Sequence, residues 1–424
     1  MQNIARSPIP AVVSQHVEDA AALCNTRAHL VSAPHVKLLH LGRLDERLAA
    51  HLDGVEVAGD FGTKLADSAL DSPGIGQVFV ATVGAIQAGS TAGLDKLLSL
   101  VEAVPDVQKG LTSAFGWVSA ETLKGTGSAL LQAAAPFRKQ VGIAACAMHR
   151  VDPGVALSAA ISSPDAPLRA RALRCAGELG RRDLLAACIE HLKDEDPSCA
   201  FWAAWSAALL GDRVQALESL KALGISPGRH RDRALLLVLK ILSNQDALSL
   251  LKPLAPDPAN QRMLIQAAGI AGDPLYIPWL IKQMADEKVT RLAGESFSLI
   301  AGLDLAYLDL ERKPTEGVEI GPTENPEDED VAMDADDSLP WPDQAKIQKW
   351  WDANQQRFPP GVRYFMGEPV NLENCQRVLR DGFQRQRIAA AQYLSLLRPG
   401  TPLFSTSAPA WRQKRWLGKT SSEI

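Results

Sequence analysis

Pro164-Asp165-Ala166-Pro167-Leu168-Arg169-Ala170-Arg171-Ala172-Leu173-Arg174-Cys175-Ala176-Gly177-Glu178-Leu179-Gly180 is the clearest copy of a pattern that recurs from about residue 75 to 303. The Asp165 carboxylate is placed to accept the free backbone N–H groups at a helix start. Leu168, Ala172, Cys175, Ala176 and Leu179 recur at three- and four-residue steps and form one apolar stripe. Gly180 supplies the tight exit a helix C-terminus favours. A second apolar run, Leu184 to Ile189, follows and closes on Leu192. With the exit as a ruler, equivalents fall at Gly89, Val118, His149, Gly211, Ser243, Gly272 and Gly302, at intervals of 29 to 32 residues. Asp196-Pro197 and Asp257-Pro258 repeat the opening signal. That period means one helical hairpin per repeat. A lone hairpin cannot bury both apolar faces, so neighbours stack. The expected fold is all-α: a solenoid of helical hairpins with helical caps at both ends.

The Leu168-Arg169, Ala172 and Leu179-Gly180 pattern resembles the short HEAT-like repeat, which implies the fold but not a function. Outside the repeat register, Leu38 to Gly54 reads as one amphipathic helix with Leu41, Leu44, Leu48 and Leu52 on one face and Gly54 beyond its end. Four regions are expected: a helical N-terminal cap (1–70), the repeat array (71–310), an acidic flexible linker (311–341), and a C-terminal helical region (342–424). In the last, Trp350-Trp351 lie on a helix, Arg363 to Gly367 is extended, and Gln386 to Leu394 copies the repeat's opening helix. The Leu44-Asp45-Glu46-Arg47-Leu48 helix, the paired tryptophans and the Gln386-Arg387 helix before Pro399 to Phe404 are similar to an uncharacterised proteobacterial HEAT-repeat family. That resemblance covers essentially the whole chain. Its members occur near type VI secretion genes, beside PAAR-tip effector modules, so it implies an accessory or adaptor role. It brings no catalytic residues.

Composition bounds the function. The chain has 424 residues, is 46% hydrophobic and only 5% aromatic, so its interior rests on Ala, Leu, Val and Ile. The formal charge is −5, with ten acidic residues and no Lys or Arg between Thr315 and Ser338, and a net of +7 from Trp341 onward. This falls short of a dedicated nucleic-acid binder. The acidic stretch reads as a solvated spacer, or as a flap competing with a ligand for the basic C-terminal face. The six scattered cysteines form no CxxC pair, no apolar run spans a bilayer and the N-terminus lacks a signal-peptide core. The expected location is cytoplasmic.

Apparent active sites fail on chemistry. Gln77 to Val83 followed by Gly84 to Thr91 imitates a strand entering a phosphate loop, but Ser90 stands where the loop's lysine belongs. His35, His40 and His51 lack the three- or four-residue spacing that pairs metal ligands on a helix. Asp165 and Arg169 suit a local ion pair or a ladder between repeats. The function expected is therefore protein binding without catalysis, cofactor or metal. Its candidate residues are Arg169, Arg171, Arg174, Trp202 and Trp205, with Trp350, Trp351 and Tyr364 second. The partner expected is a secretion-system effector or tip protein. A HEAT-like DNA glycosylase or bilin lyase, or an immunity protein that plugs a toxin, are the alternatives. Arg412, Lys414 and Arg415 between Trp411 and Trp416 could instead serve nucleic acid.

Overall fold

The computed structural model describes residues 8–315 and 334–420. Among these the chain forms 22 α-helices and a single two-stranded ribbon, Tyr364–Phe365 with Glu368–Pro369. The fold is an all-α solenoid of helical hairpins, as the period demands. The chain divides into two compact units. One holds residues 1–206, 383–388 and 400–424, the other 207–382 and 389–399. The C-terminal region, expected as a helical cap with a final modified repeat, is shared out between both.

In the first unit, Pro10–Leu30 packs on Leu38–Val57, which buries Leu41, Leu44, Leu48 and Leu52 as the amphipathic reading requires. That helix runs past Gly54 to Val57 rather than ending before it; Gly54 serves close packing instead, since a Cβ there would lie 2.6 Å from the His16 ring. Gln77 to Val83 is not a strand: Ile75–Gln87 is a helix whose face fills the unit's core, and the Ser90 hydroxyl caps the next helix by accepting from Gly93 N at 3.1 Å. Ala166–Leu179 is capped as expected, with Leu168 N donating to Asp165 Oδ1 at 2.9 Å. Its exit, Gly180, has φ +68°, and a Cβ there would collide with the Gly400 carbonyl. The exit expected at His149 falls one residue later, on Arg150 at φ +57°. Val118 leaves its helix through extended backbone.

In the second unit the exits at Gly272 and Gly302 hold. Ser243 does not: Arg231–Val238 ends earlier, and Ser243 caps Asn244–Leu251 through Asp246 N. At Gly302 (φ +75°) a Cβ would lie 2.5 Å from the Met366 carbonyl group. Tyr364 N donates to Gly272 O at 2.8 Å, and the Arg363 guanidinium donates to the carbonyls of Ala271, Lys240 and Leu242. These are carbonyls left open where helical segments stop, and a cation there also faces the negative helix ends. Arg412 does the same in the first unit, donating to Gly116 O (2.8 Å) and Val118 O (2.7 Å). Within each unit, then, C-terminal residues already occupy a row of repeat exits.

The stretch expected as a linker is anchored at both described ends. Arg312 and Thr315 bond to Glu287, and Asp334 and Asp336 engage Arg291 and Arg262. Trp341 is buried beneath the Arg291 and Arg312 guanidinium groups. Residues 316–333, the middle of the 315–338 stretch where the flap was expected, lie outside the described residues.

Candidate protein-binding surface

Three arginines on Ala166–Leu179 were expected to face a partner; their environments separate them. Arg169 donates Nε and Nη2 to both oxygens of Asp194 (2.7 and 2.8 Å) and Nη1 to Ser163 O (2.7 Å). It joins one repeat to the next, and is not the local pair with Asp165. Hydrogen bonding to Arg169, the largest influence, holds the Asp194 carboxyl well below its usual range. The His191 imidazole, 2.9 Å from Asp194, helps in the same direction. Arg171 meets the Glu178 carboxylate, which also accepts from Arg174 Nε at 2.7 Å. Burial alone would raise the Glu178 carboxyl; the Arg171 and Arg174 charges outweigh it and hold it low.

Only the third arginine reaches outward. Its side chain is 44% exposed, against 14% for Arg169 and 12% for Arg171. The Arg174 guanidinium lies 4.5 Å from the Trp202 ring centre, a cation–π distance. Trp202 in turn meets Phe201 and Trp205 edge to face at 4.8 and 5.3 Å. Phe201 and Trp205 are buried. Trp205 is therefore the support under Trp202, and not a contact residue. This follows from Pro197–Leu210 being apolar on nearly every side (Phe201-Trp202-Ala203-Ala204-Trp205-Ser206), a composition that suits a helix enclosed all round. What reaches the surface is the exposed Arg174 stacked on the half-buried Trp202, fixed from below and half-neutralised by Glu178. Aromatic and arginine anchors held in place are the usual carriers of interface energy.

The second set is corrected more fully. Trp351 and Tyr364 are buried in the core of the second unit, joined through Phe358 at ring distances of 5.6 and 5.0 Å. Trp350 is half-buried and edges onto Phe297 at 6.0 Å. These aromatics fill space between Thr290–Ala301 and Gln344–Asn354. The expected nucleic-acid run divides likewise: Arg412 is buried, and Trp416 packs on Phe404 and under Arg150. Trp411, Lys414 and Arg415 remain exposed.

Sequence reasoning missed two features of the first unit. A cleft of about 210 Å³ lies beside Ser90 and Thr91, with Leu94, Leu98 and Leu130 in its floor and Arg138 paired to Asp95 at its rim. Its two sides come from residues 85–98 and 126–138, so no local motif marks it. His51, read beside His35 and His40, is instead partnered by His16, with their Nδ1 atoms 3.1 Å apart.

No helix of the described residues is long and apolar enough to cross a membrane. None of the curated proteins compared with the chain matches it. Residues 155–240, which contain the Arg174–Trp202 stack, match the family model for HEAT repeats, so the chain is a HEAT-like repeat protein across this stretch.

Proposed function

We propose that this chain is a non-catalytic protein-binding scaffold of the cytoplasm, acting as an accessory or adaptor protein for type VI secretion effectors. The observation that carries the scaffold reading is the Arg174–Trp202 stack, at the surface of the stretch that matches HEAT repeats. Stacked hairpins give a receptor that is ordered before its partner arrives, so little entropy is lost by the receptor on binding. The secretion role draws on the likeness of the Leu44–Leu48 helix, the paired tryptophans and the Gln386-Arg387 helix to the proteobacterial family.

Affinity capture from the native cell with the intact chain tests both parts, with mass spectrometry of what is retained. A secretion-tip protein or effector toxin, retained by the wild type and lost with Trp202→Ala and Arg174→Ala, is the expected result. Retention of the same proteins by both variants removes the assigned surface. Metabolic enzymes or nucleic acid alone overturn the adaptor role.

A further inference from the structure

In the first unit Arg27, Arg138, Arg169, Arg171, Arg174 and Arg181 sit in ion pairs. Of the cations without an ion pair, four stand on two neighbouring helices. Arg43 and Arg47 on Leu38–Val57, and Lys414 and Arg415 on Ala410–Thr420, are exposed and have no ion-pair partner among the described residues. The two helices pack together, and Gly42 allows it: a Cβ there would be 3.6 Å from both the Ala410 Cβ and the Lys414 Nζ. The Lys414 ammonium is thereby set against the helix that carries Arg43 and Arg47. Glu46 is the exposed acid among them.

The same two helices also expose apolar groups at a cost in water. Trp411 is 44% exposed and Leu39 56%. Trp411 is held, not loose. The fully buried Asp45 carboxylate accepts from Ala410 N at 2.7 Å and from Arg27 Nε at 2.6 Å, which pins the start of the helix. The Trp411 ring then meets Trp117 edge to face at 4.6 Å. A rigid tryptophan on the helix of Lys414 and Arg415, packed on the helix of Arg43 and Arg47 where Glu46 is the single exposed acid among the four cations, is a preformed site for an anionic partner with a greasy side chain.

We infer that the face formed by Leu38–Val57 and Ala410–Thr420 binds an acidic peptide segment. Its carboxylates would meet Arg43, Arg47, Lys414 and Arg415, and an apolar side chain would rest against Trp411 and Leu39. Four cations are few for tracking a nucleic-acid backbone, whose affinity comes from many phosphate contacts. Leu39 and Trp411 would be wasted on phosphates. This goes beyond the scaffold reading by naming a second surface, on other helices than Arg174 and Trp202, and the chemistry of what it takes.

The test is fluorescence anisotropy of the intact protein with a labelled peptide, Glu-Glu-Leu-Glu-Glu-Leu-Glu-Glu, at several salt concentrations. Oligodeoxythymidylate and phosphatidylserine vesicles run in parallel. Saturable peptide binding is expected, weakening as salt rises, at least tenfold weaker in Arg43→Glu/Lys414→Glu and about fivefold weaker in Trp411→Ala. The charge-reversed residues are exposed, so circular dichroism and melting should match the wild type. Trp202→Ala should leave probe binding unchanged, so that this surface and the scaffold surface fail separately. No saturable binding, equal affinity in the charge-reversed variant, or tighter binding of the oligonucleotide or the vesicles overturns the proposal.

Discussion

Arg150 shows how much one side chain can hold against its own backbone. It stands in the left-handed region at φ +57°, where a residue with a Cβ costs about 1 kcal/mol more than glycine. It stays because its guanidinium lies 4.1 Å from the Trp416 ring centre and 5.4 Å from that of Phe404, and donates to Leu403 O. Burial pushes its pKa down to about 10, still high enough to keep the charge at neutral pH. Arg150→Ala keeps the backbone cost and loses the contacts, so it should destabilise by roughly 2 kcal/mol. Arg150→Gly should recover about 1 kcal/mol of that loss. Urea unfolding of the pair measures the difference, and equal midpoints would contradict this account. Lys240 in the second unit is a different case. It is buried, donates to Leu236 O at 2.9 Å, lies near the Tyr393 ring, and is pushed down to about 7 by burial and then by the Arg363 charge. Between pH 7 and 10 the unfolded chain carries a proton on this lysine that the folded chain does not. Raising pH across that window therefore favours folding, by on the order of 1–2 kcal/mol from pH 7 to 9. Lys240→Met should be more stable at pH 7 and lack this rise, which melting curves at pH 6, 7.5 and 9 would show.

The elements are joined by one recurring device. Arg169 lies eleven residues before the exit Gly180, and Arg291 lies eleven before Gly302. Arg169 grips Asp194, whose Oδ1 also accepts from Asp196 N at 3.0 Å. Arg291 grips Asp334, whose Oδ1 accepts from Asp336 N at 2.9 Å. The end of the acidic stretch is thus the turn between repeats, and Gln344–Asn354 follows it in the place of a repeat helix. Arg291 is well buried, and truncating one member of a buried pair strands the other charge. Arg291→Met should cost the second unit about 3 kcal/mol and open the backbone at 334–341 to limited proteolysis, with cleavage mapped by mass spectrometry. Protection equal to the wild type would show that Trp341 and Leu339 hold this segment without the arginine. The pairing also explains what could be read from the chain alone. Within the array, Asp194 follows its exit by 14 residues, and the hairpins were legible from period, caps and exits. Asp334 follows Gly302 by 32, so the period breaks and the next repeat is hidden behind an insertion. Arg174 and Trp202 were legible as candidates because they stand on successive repeat helices. The burial of Trp205, Trp351 and Tyr364 was not, because tryptophan and tyrosine serve cores and interfaces equally and only long-range packing decides between them.

At the scale of the whole chain, the C-terminal residues are not an appendix to a finished array. They complete each unit, and they do so with polar groups as well as apolar ones. In the first unit Arg387 is fully buried and donates to Gln384 and Gln413. Those glutamines donate in turn to the carbonyls of Val31, Thr406 and Ala408. Such a network is favourable only when every member is present, since each buried group left unpaired costs about 1–3 kcal/mol. A chain ended at Pro399 would lose Gln413, the Arg412 donors to the exit at Val118, and the carbonyl that Gly180 admits. The first unit should then open while the second keeps its core around Phe297 and Trp351. Hydrogen exchange read by mass spectrometry distinguishes the two. Protection in Leu38–Val57 and Gln108–Trp117 should fall at least tenfold on truncation, and protection in Thr290–Ala301 should change less than twofold. Uniform loss would mean that the chain unfolds as one cooperative body, and uniform retention that residues 400–424 merely decorate the repeats. The expected split follows from where the buried hydrogen bonds end, because a helix exit whose carbonyls are satisfied by a distant arginine is only as stable as that arginine's own anchorage.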